Sequence, residues 1–217
     1  MANELIIEGV IGGFWGDVSS ADVRRQLKDM SGDVDIIINS IGGDVFDGLS
    51  MFNQIRRYDA GQKRVIVDGI AASAASMVAM AGDTVLMGTG AQLMVHRPWT
   101  MTVGNDEEHD AAAAALRTAR GSILDTYSSR IDDRDQLEAW VDEETWFGAE
   151  EAVAAGFADG IEGAGMAAAI VPADLYRHTP AALVAGIRQA GEADALKQRI
   201  WQAVAAGHLA EIERRRA

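Results

Sequence analysis

The chain has 217 residues, 48% of them hydrophobic and 24% charged, which suits one domain with an extension better than two full domains. With 19 Lys and Arg against 33 Asp and Glu, the formal net charge is -14, so nucleic acid or an anionic membrane surface would have to bind against the chain's own field. It contains no cysteine, which excludes a disulfide framework, a thiol nucleophile and thiolate metal ligands.

Residues 4–11, mostly aliphatic, predict a strand, and Ser19 or Ser20 is placed to cap a helix over 21–28. The β-branched run 34–40 predicts a strand covered on both faces that stops at Gly42-Gly43. Phe46, Leu49, Phe52 and Ile55 then recur at helical spacing over 46–58. Another short strand over 64–69 ends in glycine and leads into the alanine-rich stretch 71–81, which reads as a buried helix.

Residues 84–87 and 92–96 form two further predicted strands separated by Gly88-Thr89-Gly90. This alternation predicts an α/β layered architecture with a largely parallel sheet. From 106 to about 130 the pattern is one long exposed helix, able to project from the body. Shorter helices follow over 135–141 and 149–155, with Gly156 placed to end the second. Beyond Gly160, Pro172 and Pro180 punctuate a less informative stretch, and 193–216 predict a charged helix with a cationic end. Residues 69–81 are the longest nearly apolar run and are too short to span a bilayer, and no leader pattern opens the chain, so a soluble, unexported protein is expected.

Two strand ends carry residues suited to chemistry. At Asn39-Ser40-Ile41-Gly42-Gly43-Asp44 a buried strand meets paired glycines that open a helix, leaving backbone N–H groups free to face an anion or an oxyanion. An ordinary strand-to-helix turn explains the same residues. At Gly69-Ile70-Ala71-Ala72-Ser73-Ala74-Ala75-Ser76 a serine begins a helix at the carboxyl end of a strand, where sites in open α/β sheets gather. Ser73 is the better nucleophile candidate, and Ser76, one turn further in, reads as a packing residue. A nucleophilic serine needs a base, and His96 is the one histidine directly following an apolar strand. His109 sits on the acidic start of the long helix, His178 lies near prolines, and His208 lies on the tail helix. Carboxylates are too numerous for spacing to choose an orienting acid, and Asp142, Glu143 and Glu144 together read first as a solvated helix end.

These residues, in this order, resemble the Clp protease proteolytic subunit family and its crotonase-like fold. The motifs are Asn39-Ser40-Ile41-Gly42-Gly43, Gly69-Ile70-Ala71-Ala72-Ser73, Met94-Val95-His96 and Glu150-Glu151-Ala152-Val153-Ala154-Ala155-Gly156. Gly42-Gly43-Asp44-Val45-Phe46, the stretch 68–76 and Glu144-Thr145-Trp146-Phe147 resemble more closely the phage branch, the head maturation (prohead) proteases. The resemblance covers about residues 4–160. It implies a peptidase domain over 1–160 and a mostly helical C-terminal extension over 161–217 whose role it does not reach.

By resemblance, the nucleophile falls on Ser73, the general base on His96 and the triad acid on Glu144, with Asp142 and Glu143 as alternatives. The oxyanion hole falls on the N–H groups of Gly43 and Ala74, and the long helix takes the place of the family's handle between rings of subunits. The implied activity is a serine endopeptidase cleaving capsid or scaffold protein in an assembling phage head, as a homo-oligomeric ring in the host cytoplasm or procapsid. No cofactor, metal, nucleic acid or membrane is implied. Ile41 stands where the family usually has proline, which loosens the turn without removing its N–H groups. The alternatives are a housekeeping Clp peptidase fed by an ATP-driven unfoldase, a catalytically silent assembly or scaffold protein, and a crotonase acting on acyl-CoA, which would not need Ser73 with His96.

Overall fold

Val34, Ile36 and Ile38 are fully buried while the residues between them are half-buried, the period-two pattern of a strand pressed into a core on one face. The expected cover is therefore present on both faces but unequal, complete on one and partial on the other. The computed structural model describes residues 3–12, 16–163, 175–180 and 183. In chain order the elements are β1 (Asn3–Ile11), α1 (Ser20–Lys28), β2 (Val34–Gly43), α2 (Val45–Arg56), β3 (Lys63–Ala72), α3 (Ala74–Ala79), β4 (Thr84–Gly88), β5 (Gln92–Val95), α4 (Asp106–Tyr127), α5 (Arg134–Glu143), β6 (Thr145–Gly148), α6 (Ala149–Ala154) and β7 (Gly160–Glu162). The α/β architecture expected from the alternation is present. The helix predicted over 193–216, together with His208, lies outside the described residues.

The sheet runs β1-β2-β3-β4-β7 with every pairing parallel, and β5 joins it beside β3. Strand β3 changes partner part-way along. Arg64 to Val67 pair with Thr84 to Met87 of β4, and Ile70 to Ala72 pair with Gln92 to Met94 of β5. That second pairing is why Ala71 and Ala72, predicted as the start of a buried helix, are strand. Helix propensity gives way to the ladder, and helix α3 begins only at Ala74, all six of its residues buried.

Strand β5 also pairs antiparallel with β6, Gln92 opposite Gly148 and Val95 opposite Thr145. Strands β6 and β7 were not predicted, being four and three residues long, too short for a periodicity to declare itself. Strand β2 likewise runs beyond its expected stop, since Gly42 and Gly43 still pair with Val10 and Ile11.

The helices pack where small residues allow it. Ser19 caps α1 through a capping box with Asp22. A methyl at Gly48 of α2 would come within 3.0 Å of the Ala74 Cβ of α3. In α4 the first turns are exposed, whereas Ala119, Ile123, Leu124 and Tyr127 are buried, so the helix is anchored by its C-terminal half only. Among the described residues no helix is long and apolar enough to cross a membrane.

Gly43 has φ +150°, and a Cβ there would lie 2.0 Å from the Ile11 carbonyl oxygen. Gly43→Ala is accordingly expected to lose about 2–4 kcal/mol of stability through backbone strain and overpacking, read as a lower denaturant midpoint.

Candidate active site

Strand β3 ends at Ala72, and the next residue, Ser73, takes φ 56° and ψ -124°. Only Ser73 and Glu144 have positive φ among the described non-glycine residues, a conformation that costs about 1–3 kcal/mol and persists only where surrounding structure enforces it. At Ser73 the enforcement is visible. Its N–H donates to the Met94 carbonyl at 3.0 Å, extending the β3–β5 ladder by one bond. Its carbonyl accepts from the Ser76 N–H at 3.0 Å and the Ser76 hydroxyl at 2.7 Å.

Ser76 is fully buried, and its hydroxyl also lies 2.8 Å from the Met94 carbonyl and 2.8 Å from the Tyr127 hydroxyl. The residue thus ties the Ser73 turn to β5 and α4, as its reading as a packing residue anticipated.

His96 follows β5 directly, is 9% exposed, and places Nε2 2.7 Å from Ser73 Oγ. Burial drives its pKa down from 6.5 to about 4, against an opposing pull from the Glu144 carboxylate. The ring is therefore neutral at pH 7 and, with the proton on Nδ1, can accept from Ser73.

The paired glycines pack against this turn. A Cβ on Gly42 would lie 2.5 Å from the Ala72 carbonyl oxygen, 2.7 Å from Ser73 Cβ and 2.9 Å from the Ala74 nitrogen. Only glycine permits so close an approach. The Gly42 N–H donates to Ser40 Oγ at 3.1 Å, and that hydroxyl in turn donates to the Gly9 carbonyl at 2.6 Å. Gly43 and Ala74 thus belong to two turns in contact.

The three acids part company. Asp142 is held by Arg97 in a bidentate pair at 2.7 and 2.9 Å and by Arg120 at 2.8 Å. Those cations hold its carboxyl down at about 2. Glu143 is exposed. Glu144 sits at the C-cap of α5 with φ 56° and ψ 84°, one residue before the Thr145–Val95 pair, so it stands across from His96. Its carboxylate accepts the His178 N–H at 2.7 Å, and no hydrogen bond joins it to His96 among the described residues.

One residue at this site was not foreseen. Tyr176 lies edge-on to His96, ring centroids 5.2 Å apart, and its hydroxyl donates to the Ile41 carbonyl. Nothing in Leu175-Tyr176-Arg177-His178 advertises this. The stretch has no periodicity, and only Pro172 and Pro180 mark it. His109 lies exposed at the start of α4, remote in sequence and burial from the site. Among the described residues no group of three or more His, Asp or Glu side chains could hold a metal ion.

Residues 21–164 match the model of the Clp protease family. The chain is 29% identical over 143 residues to an ATP-dependent Clp protease proteolytic subunit of Leuconostoc citreum, covering 63% of this chain and 70% of that one. It is 28% identical over 144 residues to the same subunit of Streptococcus gordonii, covering 63% and 71%. It is also 30% identical over 131 residues to proteolytic subunit 1 of Chlamydia muridarum, covering 58% and 67%.

The depressed basicity of His96 has a checkable consequence. NMR titration of its ring should give a midpoint near 4 and not near 6.5. The unfolded chain takes up this proton near 6.5 and the native chain only near 4. This contribution to stability is therefore full above pH 6.5 and is lost progressively as pH falls from there through 4.

Proposed function

The chain belongs to the Clp protease family, and from that premise we propose that it is a serine endopeptidase working by acyl transfer through Ser73, His96 and Glu144. The observation that carries this reading is the 2.7 Å approach of His96 Nε2 to Ser73 Oγ, made at a serine whose backbone is held in a strained turn. Ser73 Oγ attacks the scissile carbonyl carbon while its proton passes to His96 Nε2. The N–H groups of Gly43 and Ala74, at the ends of two touching turns, face the oxyanion of the tetrahedral intermediate. Collapse breaks the C–N bond as His96 returns the proton to the leaving amine. Water then hydrolyses the acyl-enzyme by the same exchange in reverse. Glu144 steadies the imidazolium, for which its carboxylate turns from the His178 amide to His96 Nδ1.

The ladder around β5 supports the choice of Glu144 over its neighbours, since Asp142 is committed to Arg97 and Arg120. The crotonase-like fold, the peptidase domain over 1–160 and the separate extension belong to this same reading.

Clp proteolytic subunits form homo-oligomeric rings and act on protein substrates, and we extend both properties to this chain. Two settings fit. The relatives named above favour a cytoplasmic subunit fed by an ATP-driven unfoldase. The Glu144-Thr145-Trp146-Phe147 and Gly42-Gly43-Asp44-Val45-Phe46 motifs favour head maturation on capsid or scaffold protein. Recovery of a hexameric ATPase with the tagged chain selects the first setting, and recovery of capsid protein selects the second.

A fluorophosphonate is expected to modify Ser73, as mapped by mass spectrometry. Modification should vanish in Ser73→Ala, fall at least about 10³-fold in His96→Ala and survive in Ser76→Ala. No modification in any assembled preparation would point to a silent scaffold, and modification at Ser76 would displace the nucleophile.

A further inference from the structure

Leu175, Tyr176 and Leu183 pack with Ile41, Ile70, Ala72 and Met94 into a second apolar cluster, separate from the main core. Its floor is the ends of β2, β3 and β5, the strands that contain Gly43 and lead directly into Ser73 and His96. Tyr176 enters most deeply, only 9% exposed, with its ring edge toward His96 and also 5.9 Å from the Trp146 ring. Its hydroxyl donates to the Ile41 carbonyl, immediately before the paired glycines.

Tyr176 thus spans from the turn before Gly42-Gly43 to the ring of the histidine that faces Ser73. Two residues on, the His178 N–H holds the Glu144 carboxylate at 2.7 Å. One short stretch therefore engages both His96 and Glu144 of the Ser73, His96 and Glu144 set. A separate small space beside Ser73 and His96, lined by Val45, Met77, Ile123 and Tyr127, holds about 10 Å³, room for about one water.

We propose that the cleft at the ends of β2, β3 and β5 is a binding site for a peptide with an aromatic side chain flanked by aliphatic ones, and that the chain's own Leu175, Tyr176 and Leu183 fill it as an internal pseudosubstrate that keeps the peptidase latent. The latency rests on the serine peptidase reading; the binding site does not. The docked stretch is a poor target for the enzyme it covers. What it sets beside His96 is an aromatic ring, which has no carbonyl to attack, and the Tyr176 carbonyl accepts from the Thr179 hydroxyl at 3.3 Å. A tethered occupant also acts at an effective concentration on the order of millimolar, so a free peptide competes poorly until the stretch is drawn away.

The test uses the full chain as wild type, Tyr176→Ala and His178→Pro, the last removing the N–H that Glu144 accepts. Two quantities are read: the rate of fluorophosphonate modification at Ser73, and amide exchange over 175–183 by mass spectrometry. If the open state holds about a tenth of the population, release raises the rate about tenfold. Both variants should therefore react about tenfold faster and lose protection over 175–183. A synthetic nonapeptide of residues 175–183, added at millimolar concentration, should slow Tyr176→Ala again, and the same peptide with alanine for tyrosine should not. Wild type and both variants reacting at Ser73 at equal rates would overturn latency and leave the peptidase reading standing. Slower reaction in Tyr176→Ala would overturn it in favour of a positioning role for Tyr176. No reaction in any of the three would overturn the peptidase reading and latency with it. Absence of exchange protection over 175–183 in the wild type would overturn the docked segment whatever the chemistry does.

Discussion

Strand β5 is four residues long and hydrogen-bonded on both sides, parallel to β3 and antiparallel to β6. That double pairing sets the candidate site. One step beyond the last β3–β5 pair stands Ser73, one step beyond β5 itself stands His96, and one step before the first residue of β6 stands Glu144. Backbone ladders have fixed spacing, so three residues far apart in sequence are brought to one place without help from long side chains. The two strained non-glycine residues of the described chain, Ser73 and Glu144, are the points where the chain leaves these ladders. Strain concentrated at the exits of a rigid frame is what positions a reactive group against its own rotational freedom.

Burial then sets the chemistry available there. His96 is neutral because its surroundings exclude water, and a neutral ring can accept the serine proton at ordinary pH. Around the site the charges sort by exposure. The Arg97, Arg120 and Asp142 group joins the residue after His96 to α4 and α5 at the partly exposed rim, where ion pairs orient more than they stabilise. Inside, neutral hydrogen bonds do the holding, with Ser76 and Tyr127 linking the Ser73 turn to the anchored half of α4.

The cover supplied by Tyr176 fits this frame. An apolar cleft at three strand ends, lined by Ile41, Ile70, Ala72 and Met94, would expose hydrophobic surface if left open, and burying an aromatic ring there is favourable in proportion to the area removed from water. Under the proposed reading, a peptide-binding cleft at these strand ends takes a segment of its own chain, and the family's fold and the proposed latency are compatible in one cleft.

The alternation of strands and helices, the serine at a strand end and the histidine after an apolar strand were all legible in the sequence, because hydrophobic periodicity and small-residue turns are local signals. Ser76 as a packing residue was legible for the same reason. The helix assigned to Ala71 and Ala72 was wrong, because pairing with β5 overrules alanine's local preference. Strands β6 and β7 carried too few residues to show a period. Spacing could not choose among Asp142, Glu143 and Glu144; the resemblance pointed to Glu144, and the β5–β6 register sets it across from His96 while arginines occupy Asp142. Tyr176 had no signal at all, since its place depends on a cleft assembled from strands more than 80 residues earlier. The sequence by itself determined the longer elements and the chemical types at the ends of β2, β3 and β5, because those follow from neighbours along the chain. Only the tertiary structure decided which ends meet and what covers them, because strand pairing and burial are contacts between residues distant in sequence.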